Sequence, residues 1–350
     1  MTDTIRLEAH QVDRFGIATT SDRRAARRRI WALARHEFRA ATRSRILTVL
    51  LAILVTVTAV SVFIASVDYR SQIADYRTYV ASAQAGGVAR IAPSPLRPLS
   101  LLRGATEYLE IIGAVIAITL GYLTVARERA NRTLTLLRSR PVTAGELTAG
   151  SLLGALGIFT TLVAVTGAVG VLMTGIVGND WIEAAQALRL LLAAVAAIIY
   201  MTVFYCVGAV ATARSRVAAS GLLIALGIWL LIVLIIPQLG DTLDADNQIP
   251  GGLFKALGLN RDGETQILTH FSRYETTRVG IEEASFAKHY ERFSFAMTDV
   301  LDKYRDFTLG QLLEEKWHDI AWLAFYPALA LAALWQSFRH QPTIPTGDQS

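Results

Sequence analysis

The sequence predicts an all-α, polytopic membrane protein with six transmembrane helices, and three observations carry that expectation. Residues 46–67, 111–126, 147–179, 190–213, 217–240 and 320–338 contain no Asp, Glu, Lys or Arg. The chain of 350 residues is 53% hydrophobic and only 18% charged. Arginine is dense before the first block and in the short connections that follow the second and fourth. A helix needs about 20 residues, at ~1.5 Å rise each, to cross a ~30 Å hydrocarbon core, and five of the blocks have that length. The block 111–126 is shorter and spans once its outer turn takes in Glu107 and Glu110. Core helices of a soluble protein show charge on a solvent face every turn or two. Block 147–179 shows none over 33 positions, which excludes that class.

The elements follow in order. Residues 1–45 form a basic tail that ends in an interfacial helix over 24–44, with Ile30, Leu33, Ala34 and Phe38 on one side and Arg35, Arg39 and Arg43 among the arginines around the rest. This 45-residue polar segment places the first apolar block too late for a cleavable secretory signal, so the first helix is expected to anchor the chain. Residues 46–240 carry spans one to five. Between spans one and two, 68–110 reads as an outer loop with Tyr69, Tyr76, Tyr79 and a Pro-rich stretch at Pro93, Pro95 and Pro98. Glu107 and Glu110 share a helical face at the outer mouth of span two. They are candidates for a substrate path, or simply acids at a solvated helix start.

Residues 241–318 form a helical extracytoplasmic insert between spans five and six, and 319–350 form span six and a tail. In the insert, Phe286, Tyr290, Phe293, Met297, Val300, Tyr304 and Phe307 alternate spacings of four and three, which places them on one stripe of a long helix. That stripe packs on a neighbouring helix around Ile267, Phe271 and Tyr274, or else Phe286, Tyr290, Phe293 and Met297 offer docking to an extracytoplasmic partner.

Orientation is read from arginine in short connections, because anionic lipid and the membrane potential hold cations on the cytoplasmic side. Nine arginines from Arg23 to Arg45 precede span one; Arg127, Arg129, Arg132, Arg138 and Arg140 follow span two; Arg214 and Arg216 follow span four; Arg339 follows span six. The connection after span three has Asp180 and Glu183 with no basic residue. Both termini are therefore expected in the cytoplasm of a multi-pass protein of a prokaryotic plasma membrane, in contact with membrane lipid.

Several chemistries are excluded. The net charge of +5 belongs to span-flanking residues, so nucleic acid is not an expected partner. The single Cys206 lies inside span four and packs as a small hydrophobe. His270, His289 and His318, with Glu282, Glu283 and Glu291, lack the spacing of a metal site, so no metal is expected. No nucleophile and base are paired within a span, so the chain is not read as an enzyme. In span three, Gly150-x-x-x-Gly154 permits close helix contact and reads as packing within the chain.

The most informative stretch is the cytoplasmic loop 127–146. It holds a charged exit at Arg127, Glu128 and Arg129, then a short amphipathic segment with Leu134, Leu136 and Leu137, then a turn at Pro141. Thr143 with Glu146 three residues on is a capping box for span three. A short surface helix pinned between two spans transmits a push from a cytoplasmic partner into the bilayer.

This stretch resembles type-2 ABC permeases, the export-type membrane subunits, on Glu128, Arg129, Thr133, Leu134, Leu136, Leu137, Pro141, Val142, Thr143, Leu147 and Gly150. The chain departs from the pattern at Arg132, Ala144 and Ser151, where Gly, Arg and Lys are usual. It is distantly similar to the permease of the nitrous oxide reductase maturation system. The resemblance implies that Glu128, Arg129, Thr133, Leu134, Leu136, Leu137, Arg138, Pro141, Val142, Thr143 and Glu146 meet an ABC ATPase subunit, which drives export or translocation of a substrate. It also implies a homodimer or heterodimer of permease subunits. A phosphate-binding loop needs Gly-Lys followed by Ser or Thr. None of the four lysines, Lys255, Lys288, Lys303 and Lys316, follows a glycine, so ATP and Mg are expected in the partner and no cofactor in this chain. The alternative is a membrane-anchored scaffold or sensor that binds an extracytoplasmic partner without transport.

Overall fold

The structure, a computed structural model, describes residues 20–86, 97–130, 143–243, 253–259, 261–270, 272–304 and 307–339. The described residues are helical, with no strand among them. The helices are α1 Thr20–Thr42, α2 Arg45–Gly86, α3 Arg103–Tyr108, α4 Ala114–Ala130, α5 Ala144–Ile176, α6 Ala184–Arg214, α7 Ala218–Trp229, α8 Ile236–Leu243, α9 Leu253–Ala256, α10 Arg261–His270, α11 Ser272–Glu283, α12 Phe286–Met297, α13 Leu309–Glu315 and α14 Trp317–Arg339. Six runs are long and apolar enough to cross a membrane: Arg45–Ser82, Pro98–Ala130, Ala144–Ile176, Ala184–Arg214, Ala218–Gly240 and Trp317–Arg339. These are spans one to six.

Spans two and four form the centre of the bundle, where 67% and 56% of the most apolar stretch is buried against 17% in spans five and six. They approach closely because glycine faces backbone on both sides. A Cβ on Gly121 would lie 2.2 Å from the Tyr205 carbonyl oxygen, and one on Gly208 would lie 2.4 Å from that of Ile118. Leu120, Ile116, Tyr205 and Phe204 fill the seam from the two sides. Apolar residues on the outer faces of spans one, five and six, such as Val60, Leu223 and Leu329, stay exposed, as a lipid-facing surface requires.

Span two is longer than its uncharged block. A 3-10 turn, Pro98–Leu102, leads into α3, then a π-helical turn at Leu109–Gly113, then α4. Glu107 and Glu110 are thus part of the helical run. A second π-helical turn, Leu230–Ile235, lies between α7 and α8 in span five. A π turn misaligns backbone pairing and frees carbonyls. Here the two turns each receive a hydroxyl from another element: the Tyr200 hydroxyl donates to the Glu110 carbonyl at 3.0 Å, and the Ser285 hydroxyl to the Ile232 carbonyl at 2.7 Å.

Two expectations are corrected. The connection 68–110 does not begin as a loop: α2 runs unbroken to Gly86, through residues with no proline until Pro93. Its start is tied to the connection between spans three and four by the Tyr69 hydroxyl, which donates to Asp180 at 2.6 Å. The stripe from Phe286 to Phe307 is not one long helix. The α12 helix stops at Met297, and Asp299 takes the left-handed conformation at φ 54°. Its neighbour's amide closes the turn, Val300 N–H to the Phe295 carbonyl at 3.1 Å, as in a Schellman-type end. Tyr304 follows in a separate 3-10 turn.

The α12 helix lies among the spans. Tyr290 and Phe286 stack on Tyr200 of span four with ring centroids 4.5 and 5.5 Å apart, and Phe286 also meets Tyr326 of span six at 4.9 Å. Phe286, Tyr290, Phe293 and Met297 are all buried. Their burial is packing within the chain, against spans four and six and not against the helix around Ile267 and Tyr274.

Candidate functional site

The loop expected to receive a partner ends its described part at Ala130 and resumes at Thr143. Thr133, Leu134, Leu136, Leu137, Arg138, Pro141 and Val142 lie outside the described residues. What the structure gives is the frame that holds the loop's two ends.

Both ends are fastened to α1. On the exit side, Glu37 of α1 is buried, and its carboxylate oxygen accepts from the Thr124 hydroxyl at 2.5 Å and from the Arg127 guanidinium at 2.7 Å. On the return side, Glu146 accepts from Arg29 of α1 at 2.6 and 3.1 Å through one oxygen. Its other oxygen takes the Thr143 backbone N–H at 2.9 Å, while the Thr143 hydroxyl caps the Glu146 N–H at 3.2 Å. The capping box expected from the sequence is present, and its acid also anchors α1.

The α1 helix sits close to span three because glycine makes room for it. A Cβ on Gly150 would fall 2.5 Å from that of Leu33, and one on Gly154 would fall 2.7 Å from that of Glu37 and 2.9 Å from the Ala34 carbonyl. Phe38 rests against Gly157. The glycine face of span three is thereby a seat for α1 within the chain.

Arg129 joins a third element. Its guanidinium donates to the carbonyls of Ala213 at 2.7 Å and Ser215 at 2.8 Å, at the end of span four. The last carbonyls of a helix have no partner within it, and a cation there satisfies them and meets the negative end of the helix dipole. Glu128 is half-buried beside these contacts. Arg35 and Arg39 are exposed on α1, and Arg43 lies in the turn just after it.

Of the proposed substrate-path pair, Glu107 is half-buried and accepts from Arg103 at 2.8 Å, whereas Glu110 is buried in the first π turn. They share a helical run and have different surroundings. Among the described residues no group of three or more His, Cys, Asp or Glu is placed to hold a metal.

Sequence reasoning missed Arg29, Glu37, Thr124 and the pairing role of Arg127. One signal was available: Glu37 is the lone acid between Arg23 and Arg45. It also missed the ionic fastenings at the other end of the bundle. Arg189 of span four donates to Asp299 at 2.6 Å and to the Phe307 carbonyl, and Arg97 lies 3.8 Å from the same acid. His289 of α12 meets Asp319 of span six at 2.9 Å and the Glu283 carbonyl at 3.0 Å. Lys316 reaches Asp319 at 3.3 Å.

A helical bundle of six spans, with an amphipathic helix bracing the loop between spans two and three, is the setting in which the comparisons with known proteins fall. No curated protein matches the sequence. A family model described as ABC-2 family transporter protein matches residues 31–340, from the middle of α1 to the end of span six. The chain belongs to the ABC-2 family of transporter proteins and is a multi-pass ABC transporter permease.

Proposed function

We propose that this permease is driven by a separate ABC ATPase subunit that docks on loop 127–146, and that the push is carried into the spans through α1. The observation that supports the reading is the double fastening of the loop: Glu37 ties α1 to its exit and Arg29 ties α1 to its return. A force on the loop cannot move one end without loading α1, and α1 is seated on span three at Gly150 and Gly154. Arg129 passes the same load to the end of span four. In this reading the Arg-rich end faces the cytoplasm with both termini, in a prokaryotic plasma membrane. The cargo is exported or otherwise translocated, ATP and Mg are bound by the partner, and two permease subunits, alike or different, complete the path. Glu107 and Glu110 are proposed to border that path at its outer mouth.

The test is a reconstituted complex in which ATP hydrolysis and transport are measured together. Glu128→Ala, or Pro141→Gly combined with a change at Leu136, is expected to leave membrane insertion intact while transport falls out of step with hydrolysis. Coupling that survives both changes would place the docking site elsewhere.

A further inference from the structure

One stripe of α1 takes no part in the two ionic fastenings, and its Phe38 end rests on span three at Gly157. Arg24, Arg28, Trp31, Arg35 and Phe38 follow one another at spacings of four, three, four and three, which aligns them on a single stripe. Arg27 lies one turn from both Arg24 and Trp31. Two grooves meet on this stripe and share Trp31. The first, about 350 Å³, is lined by Arg24, Arg27, Arg28 and Trp31. The second, about 470 Å³, is walled mostly by apolar groups, among them Trp31, Ala32, Phe38, Leu153 and Gly157, with Arg35 on its border.

Arg24, Arg27 and Arg28 are exposed and make no ion pair among the described residues, unlike Arg29 beside them. Like charges one turn apart on a helix repel, so three arginines that meet no acid among the described residues are a cost that an anion removes. The adjoining groove is floored by span three, at Leu153 and Gly157, and opens on a surface built for hydrocarbon. Trp31, 60% exposed, stands between the basic and the apolar groove, the position an indole takes at the boundary of headgroup and acyl chain.

We propose that this stripe of α1 binds one anionic phospholipid of the adjacent leaflet, its phosphate on Arg24, Arg27 and Arg28 and an acyl chain in the groove between Phe38 and Leu153. A soluble acidic protein would match the charge, but it has no means of filling an apolar groove that runs onto a membrane span. A lipid matches both halves at once. The inference rests on the proposed function, in which α1 carries the push into the spans, and on α1 lying along the membrane surface as the interfacial helix expected from the sequence. Lipid held there would fix the brace against the bilayer, so that a push on the loop moves the spans and not α1.

The experiment is native mass spectrometry of the full chain purified in detergent and offered phosphatidylglycerol or phosphatidylcholine. The native chain is expected to retain phosphatidylglycerol on the order of tenfold better or more, since each arginine near a lipid surface adds measurably to the attraction. Replacing Arg24, Arg27 and Arg28 together by Gln is expected to abolish the preference, and replacing them by Lys to keep most of it. Ala32→Trp fills the groove without touching charge and is expected to lower retention of both lipids. These positions are exposed, and an unchanged helical signal in circular dichroism confirms that each variant is folded. Equal retention of the two lipids by the native chain, or a preference that survives the Gln substitutions, overturns the proposal. Loss of ATPase co-purification in the Gln variant with the lipid preference intact overturns it too and assigns the arginines to the protein partner. The measurement involves neither ATP nor transport, so its failure leaves the coupling reading standing. Uncoupling that fails in the loop variants, with lipid preference intact, fails that reading alone.

Discussion

The two ends of the bundle are fastened by the same chemistry at different depths. At the Arg-rich end, Glu37 takes two donors from α4 and Glu146 takes one from α1 and one from its own helix cap, but their arginines remain partly in solvent: the side chains of Arg127 and Arg29 are 31% and 37% exposed. At the opposite end, Asp299 is 2% exposed and its partner Arg189 13%, and His289 is buried between Asp319 and the Glu283 carbonyl. Ion pairs at a surface are screened and give a little under load, whereas a buried pair resists breaking because the survivor is left charged and unsolvated. The end expected to receive force is therefore the compliant one, and the end that holds α12 among the spans is the stiff one.

The largest effect is expected where burial is deepest. Asp299→Ala leaves the Arg189 guanidinium enclosed with the Phe307 carbonyl as its remaining strong acceptor, and breaking a buried pair in this way costs about 3–5 kcal/mol. The melting temperature of the detergent-solubilised chain reports it, and Arg189→Met added to Asp299→Asn is expected to recover part of the loss. A melting temperature unchanged by Asp299→Ala would remove the contrast between the ends.

A smaller loss is expected from Glu37→Ala, which deprives Arg127 and the Thr124 hydroxyl of their charged acceptor and leaves them the Leu123 and Leu120 carbonyls, at a cost of roughly 1.5–3 kcal/mol, the range for hydrogen bonds to a charged group. Because that pair is partly solvated, the damage is expected to be local. Hydrogen exchange should rise in α1 and at the end of α4 while the rest of the bundle keeps its protection; uniform loosening would show the rim to be as integral as the far end. Gly154→Val tests the seat itself. The added atoms collide with Glu37 and the Ala34 carbonyl, and overpacking of this kind costs about 1–3 kcal/mol, read as release of α1 to protease while the spans stay folded.

The smallest effect belongs to an exposed pair at the stiff end. Lys303 donates to Glu315 at 2.8 Å, which holds the Glu315 carboxyl below its ordinary range and the Lys303 ammonium above its own. A lowered carboxyl stabilises the fold above its unfolded value, and that contribution fades as pH drops through the folded one. Both side chains are about half in solvent, so Lys303→Gln is expected to change stability by no more than about 0.5 kcal/mol at neutral pH and to erase a slight acid dependence. A large change would mean that exposure is a poor guide to strength here.

The spans were legible in the sequence because a lipid-facing helix tolerates no charge, and that rule acts on composition alone. The capping box at Thr143 and Glu146 was legible for a similar reason, since its two members are three residues apart. What stayed hidden depends on distance along the chain. Glu37 meets Arg127 across 90 positions and His289 meets Asp319 across 30, and no local spacing announces either pair. The place of α12 was hidden by a different cause. Its apolar period continues past Met297 because Tyr304 and Phe307 also turn toward the bundle, so the pattern hides the break that the backbone makes at Asp299. The continuation of α2 to Gly86 was masked by polar residues that form helix as readily as loop.

The central claim is that the braced loop faces the cytoplasm and is covered by the ATPase subunit. With Cys206 changed to Ser, Arg138→Cys gives a single reporter in that loop, and a membrane-impermeant maleimide applied to sealed vesicles of each orientation reads its side. The account predicts reaction from the cytoplasmic face alone, slowed when the ATPase subunit is present. Reaction from the outer face, or a rate indifferent to the ATPase, would contradict it.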